Sequence, residues 1–207
     1  MGWRTRLLEG GRIAAAAALL ALGLGPLAGC ALTSKSDPVS PRYLSPALGS
    51  SGAEAKRGAG RKLRLYRVRA GAHLKQKLVS RTSPYEVRFY EERRWVEQPD
   101  DLVARAISKA LFEERGVRRV VTGAAPTLEI DLIHFDEVLG HDRKVRVGMI
   151  VLLYDDGVSL LEETMIVEKK VGESDDLDDW EQFAKVAGEA LREAVDRAAD
   201  RIVSRLP

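Results

Sequence analysis

The stretches "TLEIDLIHFDEV" (127–138), "RKVRVGMIVLLYDDG" (143–157) and "SLLEETMIVEKKV" (159–171) decide the fold. In the first, Leu128, Ile130 and Leu132 alternate with Glu129 and Asp131. In the second, Val145, Val147, Met149, Val151 and Leu153 share one face. A period of two is the signature of strands with one buried side. "GHD" (140–142) and Asp156-Gly157 separate them, the latter a strong two-residue hairpin signal. Three long strands joined by tight turns predict an antiparallel meander. Apolar residues on both faces of "GMIVLLY" (148–154) suggest a strand covered on both sides, either by its own core or by a second copy of the chain or a partner.

Upstream, "KLRLYRV" (62–68) alternates apolar and basic residues and predicts a strand. "HLKQKLVSR" and "YEVRFY" flank "TSP" (82–84) and predict a hairpin. The period then changes. Leu102, Val103, Ala106, Ile107, Ala110 and Leu111 recur at helical spacing, with Asp100 as the expected N-cap and Gly116 as the stop. "VRRVV" (117–121) reads as a short strand. A last helix is expected over about 178–205, where Trp180, Phe183, Ala187, Leu191, Ala194, Ala198 and Ile202 step by three and four. Glu181–Lys185 and Glu193–Arg197 support it as i,i+4 pairs. The fold class is therefore α+β, an antiparallel sheet with two amphipathic helices packed on one face. The domain spans 61–207.

The N-terminus has another character. Arg4, Arg6 and Arg12 precede an apolar run from Ile13 to Gly25, and small residues lead to Cys30. A basic start, a short apolar core and a small-residue cleavage site make a secretory signal peptide over 1–29. The run is shorter than the ~20 residues of a spanning helix. Removing 1–29 takes away three Arg and one Glu of the chain's 33 basic and 31 acidic residues, leaving 30 of each. The net charge of +2 thus belongs to the leader, and nucleic acid loses its electrostatic claim as a partner. Cys30 is the single cysteine, so no internal disulfide can form. Residues 31–60, rich in Ser, Pro, Gly and Ala, read as a tether with a root-mean-square reach of roughly 30 Å.

Residues that could carry chemistry are few. His73, His134 and His141 lack metal-ligand spacing, so neither a metal nor another cofactor is expected. "ESDDLDDWE" (173–181) lacks the central glycine of a calcium loop and reads instead as helix-capping acid, with Asp178 and Glu181 forming a capping box. Asp155 and Asp156 belong to a turn. No phosphate-binding glycine loop or nucleophile elbow is present in the sequence, and a non-enzymatic role is expected.

Two motifs carry a resemblance. "LAGC" (27–30) resembles a bacterial lipoprotein signal. By that resemblance the chain is cut between Gly29 and Cys30, and Cys30 carries diacylglycerol and an amide-linked acyl chain such as palmitate. The order strand, turn at Ser83-Pro84, strand, Arg94-Trp95, Glu97, Pro99 and amphipathic helix resembles the ABC-type transport auxiliary lipoproteins, the family of paraquat-inducible protein C. Gln98 separates Glu97 from Pro99, a departure from the family's Glu-Pro. The resemblance implies a lipid-anchored protein of the bacterial envelope, facing the periplasm. It would be an accessory to an ABC system with a mammalian-cell-entry (MCE) subunit that moves phospholipid or other apolar cargo. Ala31, in place of the Asp that commonly retains lipoproteins in the inner membrane, implies the outer membrane. The competing expectation is an outer-membrane assembly lipoprotein docked to a β-barrel export protein. Arg94 and Trp95 are the candidate partner contacts, since Trp and Arg anchor interfaces; packing of Trp95 on the first helix and pairing of Arg94 with Glu91 or Glu97 are the structural alternatives.

Overall fold

A computed structural model of the protein describes residues 40–49, 60–172 and 179–207. Its strands are β1 (Arg42–Leu44), β2 (Lys62–Ala70), β3 (Lys77–Ser83), β4 (Glu86–Trp95), β5 (Arg118–Arg119), β6 (Thr127–Val138), β7 (Lys144–Asp155) and β8 (Val158–Lys170). The helices are α1 (Pro99–Ser108), which runs on into a π-helical turn (Lys109–Glu114), and α2 (Trp180–Arg205). Among the described residues the eight strands form one sheet.

The meander expected from the sequence is present: β6 pairs antiparallel with β7, and β7 with β8. Its second turn places both Asp156 (φ 44°) and Gly157 (φ 79°) in the left-handed region, the demand of the tightest hairpin turn. The β3–β4 hairpin is also present. The sheet as a whole is mixed, however, and not antiparallel. β2 and β3 lie one after the other along the same edge of β6, both parallel to it. β1 is parallel to β4, and β5 to β2. The reason is the crossover: α1 stands between the hairpin and β6 and returns the chain to run alongside its start, as parallel pairing requires.

Both helices lie on one face. Val145, Val147, Met149, Val151 and Leu153 of β7 are at most 1 % exposed and join Leu128, Ile130 and Phe135 of β6 in a single core with Leu102 and Ile107 of α1 and Phe183, Leu191 and Ile202 of α2. Arg115, after the π turn, ties the helices together through Asp200 (2.7 Å) and Asp196 (3.4 Å) of α2. On the opposite face no described element covers the sheet, and cross-strand ion pairs such as Arg69–Asp131 (2.9 Å) line it beside the half-buried Ile150 and Leu152.

Three local expectations are corrected. Gln98, not Asp100, is the N-cap of α1; Pro99 takes the first helical position, where no N–H is needed, and Asp100 lies in the first turn. Asp179 caps α2, accepting from the Gln182 N–H at 2.8 Å; Asp178 and the rest of the acid run to 173 lie outside the described residues. Finally, residues 42–49 fall in the stretch read as tether but are part of the fold. β1 pairs with β4, and the Ala47 backbone crosses α2 so closely at Gly188 that a Cβ there would stand 2.4 Å from the Ala47 carbonyl oxygen. Three residues are too few to show a strand period, so the sequence pattern was silent there.

Candidate functional site

Among the described residues, the two buried carboxylates of the sheet, Asp136 and Glu137, lie side by side near the end of β6. A register shift between Leu132 and His134 moves the face of the residues that follow. Phe135 opposite Val147 and Glu137 opposite Val145 then face the helices, while Asp136 opposite Arg146 faces away. Both acids are buried, at 2 % for Asp136 and 1 % for Glu137. Neither could remain so as a carboxylate without strong donors.

Each is given them. On the outer face, Asp136 accepts from Arg81 Nε (2.7 Å) and from Arg146 Nε and Nη2 (3.0 Å each). His134 Nδ1 stands 3.6 Å from the same carboxylate, and His73 Nε2 stands 3.5 Å from Arg81 Nη2. Burial holds both histidines below their ordinary pKa, and neighbouring arginines add to the effect. The His134 ring lies on Gly148, where a Cβ would come within 2.8 Å of it.

On the helix face, Glu137 accepts from the Tyr90 hydroxyl and from Arg143 Nε. Burial, then the hydrogen bond to Glu137, raises the Tyr90 pKa. Tyr90 meets Trp180 edge-on at 4.9 Å, and the Arg143 guanidinium lies 5.0 Å from the Trp180 ring. Arg93 approaches that ring to 5.2 Å. Trp180, the first residue of α2, thus joins an arginine of β4 and one of the β6–β7 turn by cation–π contacts. An open groove of about 620 Å³ adjoins this corner, lined by Arg42, Tyr43 and Leu44 of β1, by Arg93, and by Trp180 and Lys185 of α2. Its chemistry is that of recognition: cations and aromatic rings with the acids Asp179 and Glu181 among them, and the nearby Glu137 already held by Tyr90 and Arg143.

The sequence-expected residues fall around it. Cys30 and Gly29 lie outside the described residues. Trp95 is 2 % exposed and stacks on Phe135 (centroids 4.6 Å) and Phe183 (6.0 Å), so its role is packing, and a partner could touch it only by opening the core. Arg94 is half-buried, opposite Tyr43 in the β1–β4 register, and its Nε has no hydrogen-bond partner among the described residues. Of the acids expected to hold it, Glu91 bonds Lys77 (2.6 Å) and lies within the field of Arg94 as well, while Glu97 bonds Arg105. His73 and His134 flank one ion cluster, while among the described residues no group of three or more His, Cys, Asp or Glu could hold a metal. Asp136, Glu137, Arg81, Arg143 and Arg146 were not singled out from the sequence. The available signal was two consecutive acids at the end of an apolar strand, facing Arg143 and Arg146 across a tight turn.

The model of the ABC-type transport auxiliary lipoprotein component matches residues 44–203, from β1 into the last turn of α2. The chain belongs to the ABC-type transport auxiliary lipoprotein family. The match begins inside the segment that Gly188 accommodates, in agreement with its place in the fold. Solved structures share the fold at low identity. A Xanthomonas campestris protein is 16 % identical, with a TM-score of 0.61 over 76 % of this chain and 92 % of that one. An uncharacterized protein is also 16 % identical, with a TM-score of 0.58 over 79 % of this chain and 99 % of that one. No curated protein matches the chain.

Proposed function

We propose that this family member is a lipid-anchored, periplasm-facing and non-catalytic accessory of an ABC transport system whose partner subunit carries an MCE domain, moving phospholipid or other apolar cargo between the envelope membranes. The observation that carries the reading is the family match over the whole folded unit. The leader and LAGC support the anchor at Cys30, and Ala31 supports the outer membrane.

The corner formed by β1, β4 and the start of α2 is the docking surface in this reading. Arg94 and Tyr43 sit side by side on it, Tyr43 being exposed. A photo-crosslinking residue at Tyr43, introduced in the cells that make the protein, should capture an MCE-domain subunit. Capture of a β-barrel export protein instead, or of no envelope transport component, overturns the reading.

A further inference from the structure

β8 is the last strand of the meander. Its 13 residues pair with β7 on one side and, among the described residues, with no strand on the other. Such an edge offers a row of backbone donors and acceptors to any extended chain that can approach it. β8 contains neither proline nor glycine, and its register on β7 is unbroken from Leu161 to Lys170. Only its charges could guard it. Glu162 and Glu163 stand in the first half, Lys169 and Lys170 near the end with Glu168 just before them, and the half-exposed Ile166 between the two groups.

We propose that the occupant of this edge is a second copy of the chain, its β8 paired antiparallel across a two-fold axis through Ile166. That register sets Glu162 opposite Lys170 of the second copy and Glu163 opposite Lys169 of the second copy, each twice by symmetry. Ile166 meets itself, Met165 meets Val167, and Leu161 meets Val171. Residues opposite one another in an antiparallel pair share a face. Here the even-numbered residues continue the open face of the sheet. The odd-numbered ones, buried at Leu161, Met165 and Val167, continue the face under α2.

The order of signs selects this register. Moving the axis to Met165 sets Glu162 against Glu168. Moving it to Val167 leaves both lysines with no acid opposite. An in-register parallel pair sets every charge against itself. Charges placed only to keep the edge free would not need this order, whereas an isologous interface does. α2 extends the pattern on the helix side. Arg201 already holds Glu163 (2.9 Å) and Glu193 holds Lys169 (2.8 Å), so the dimer would carry alternating rows running Arg201–Glu163–Lys169–Glu193 across the axis.

The test is sedimentation of the full chain, purified in detergent, with charge exchange at the exposed pair. The wild-type chain should form a dimer or an even-numbered assembly. Glu162→Lys and Lys170→Glu should each weaken it by about tenfold or more, since two cross-strand attractions become repulsions. The double variant, with the signs exchanged, should recover to within about threefold of wild type. Both residues are exposed, so circular dichroism should be unchanged throughout. A photo-crosslinking residue at Ile166 should join β8 to β8 of a second copy. A monomeric wild type, an assembly indifferent to Glu162→Lys, a double variant that stays weak, or a crosslink from Ile166 to a different protein overturns the proposal.

Discussion

Asp136 and Glu137 are consecutive in β6, point to opposite faces of the sheet, and are both buried against arginine. The pair stitches the sheet at the point where its edge along β6 passes from β2 to β3. On one side Asp136 joins β3, β6 and β7 through Arg81 and Arg146; on the other Glu137 joins β4 and the β6–β7 turn through Tyr90 and Arg143. Buried ion pairs are not in themselves strongly stabilising, but breaking one leaves charge uncompensated. Asp136→Ala strands two guanidinium groups whose side chains are only 15 % and 20 % exposed. It should cost about 3 kcal/mol in chemical denaturation. Asp131→Ala, which removes the exposed partner of Arg69, should cost less than about 1 kcal/mol. Similar losses for the two variants would show that burial does not set the energetics of this corner.

Much of the secondary structure was legible because it follows from period. The alternation in 127–138 and 143–157 gave the strands, and Asp156-Gly157 gave the turn. Pairing direction was not, because alternation tells which side of a strand is buried and says nothing of its neighbour. The parallel partners of β6 therefore escaped, and so did β1. Trp95 illustrates a second limit. An aromatic before a helix suits an interface anchor or a core plug equally well, and only the stacking on Phe135 and Phe183 decides for the core. Glu137 illustrates a third. The shift after Leu132 turns it inward, and a bulge leaves no mark in an alternating pattern.

Gly188 in the middle of α2 is explained by the segment that crosses it. A glycine there costs the helix about 1 kcal/mol relative to alanine. Gly188→Ala would recover that, but its methyl group would stand 2.4 Å from the Ala47 carbonyl oxygen and 2.8 Å from the Ala47 carbonyl carbon and nitrogen. Backbone cannot yield as a side-chain tip can, so residues 42–49 should lift from the helix, with a net loss of about 1–3 kcal/mol. Limited proteolysis should then cut within 42–49 at least tenfold faster than in wild type. An unchanged cleavage rate with raised stability would mean that the crossing is looser than the geometry shows.

Stability should fall on mild acidification. His73 and His134 have folded pKa values below the ordinary 6.5, first because burial disfavours their charged forms. The unfolded chain therefore binds more protons than the folded one as the pH drops through about 6.5. The contribution is complete above that value and is lost progressively toward the lower folded values. Urea midpoints should decline from pH 7 to pH 5, and the decline should be shallower in His134→Gln, which cannot take up the proton. A slope unchanged by the substitution would assign the acid sensitivity to other groups.

Cys30 is the position on which the proposed location depends. Several acyl chains on one residue hold a protein to a bilayer far more firmly than one, each buried CH₂ contributing about 0.8 kcal/mol. No described helix is long and apolar enough to cross a membrane, so the described residues supply no competing helical anchor. Cys30→Ala should consequently behave in one of two ways. If another peptidase cuts the leader, the folded unit is released to the soluble envelope fraction; if none does, the protein stays attached by its uncut leader and migrates as the heavier precursor. Labelling with radioactive palmitate should mark the wild-type chain and not the variant. Wild-type membrane fractionation by a Cys30→Ala chain of mature size would refute lipid anchoring at this residue, and with it the reason for placing the domain at a membrane surface.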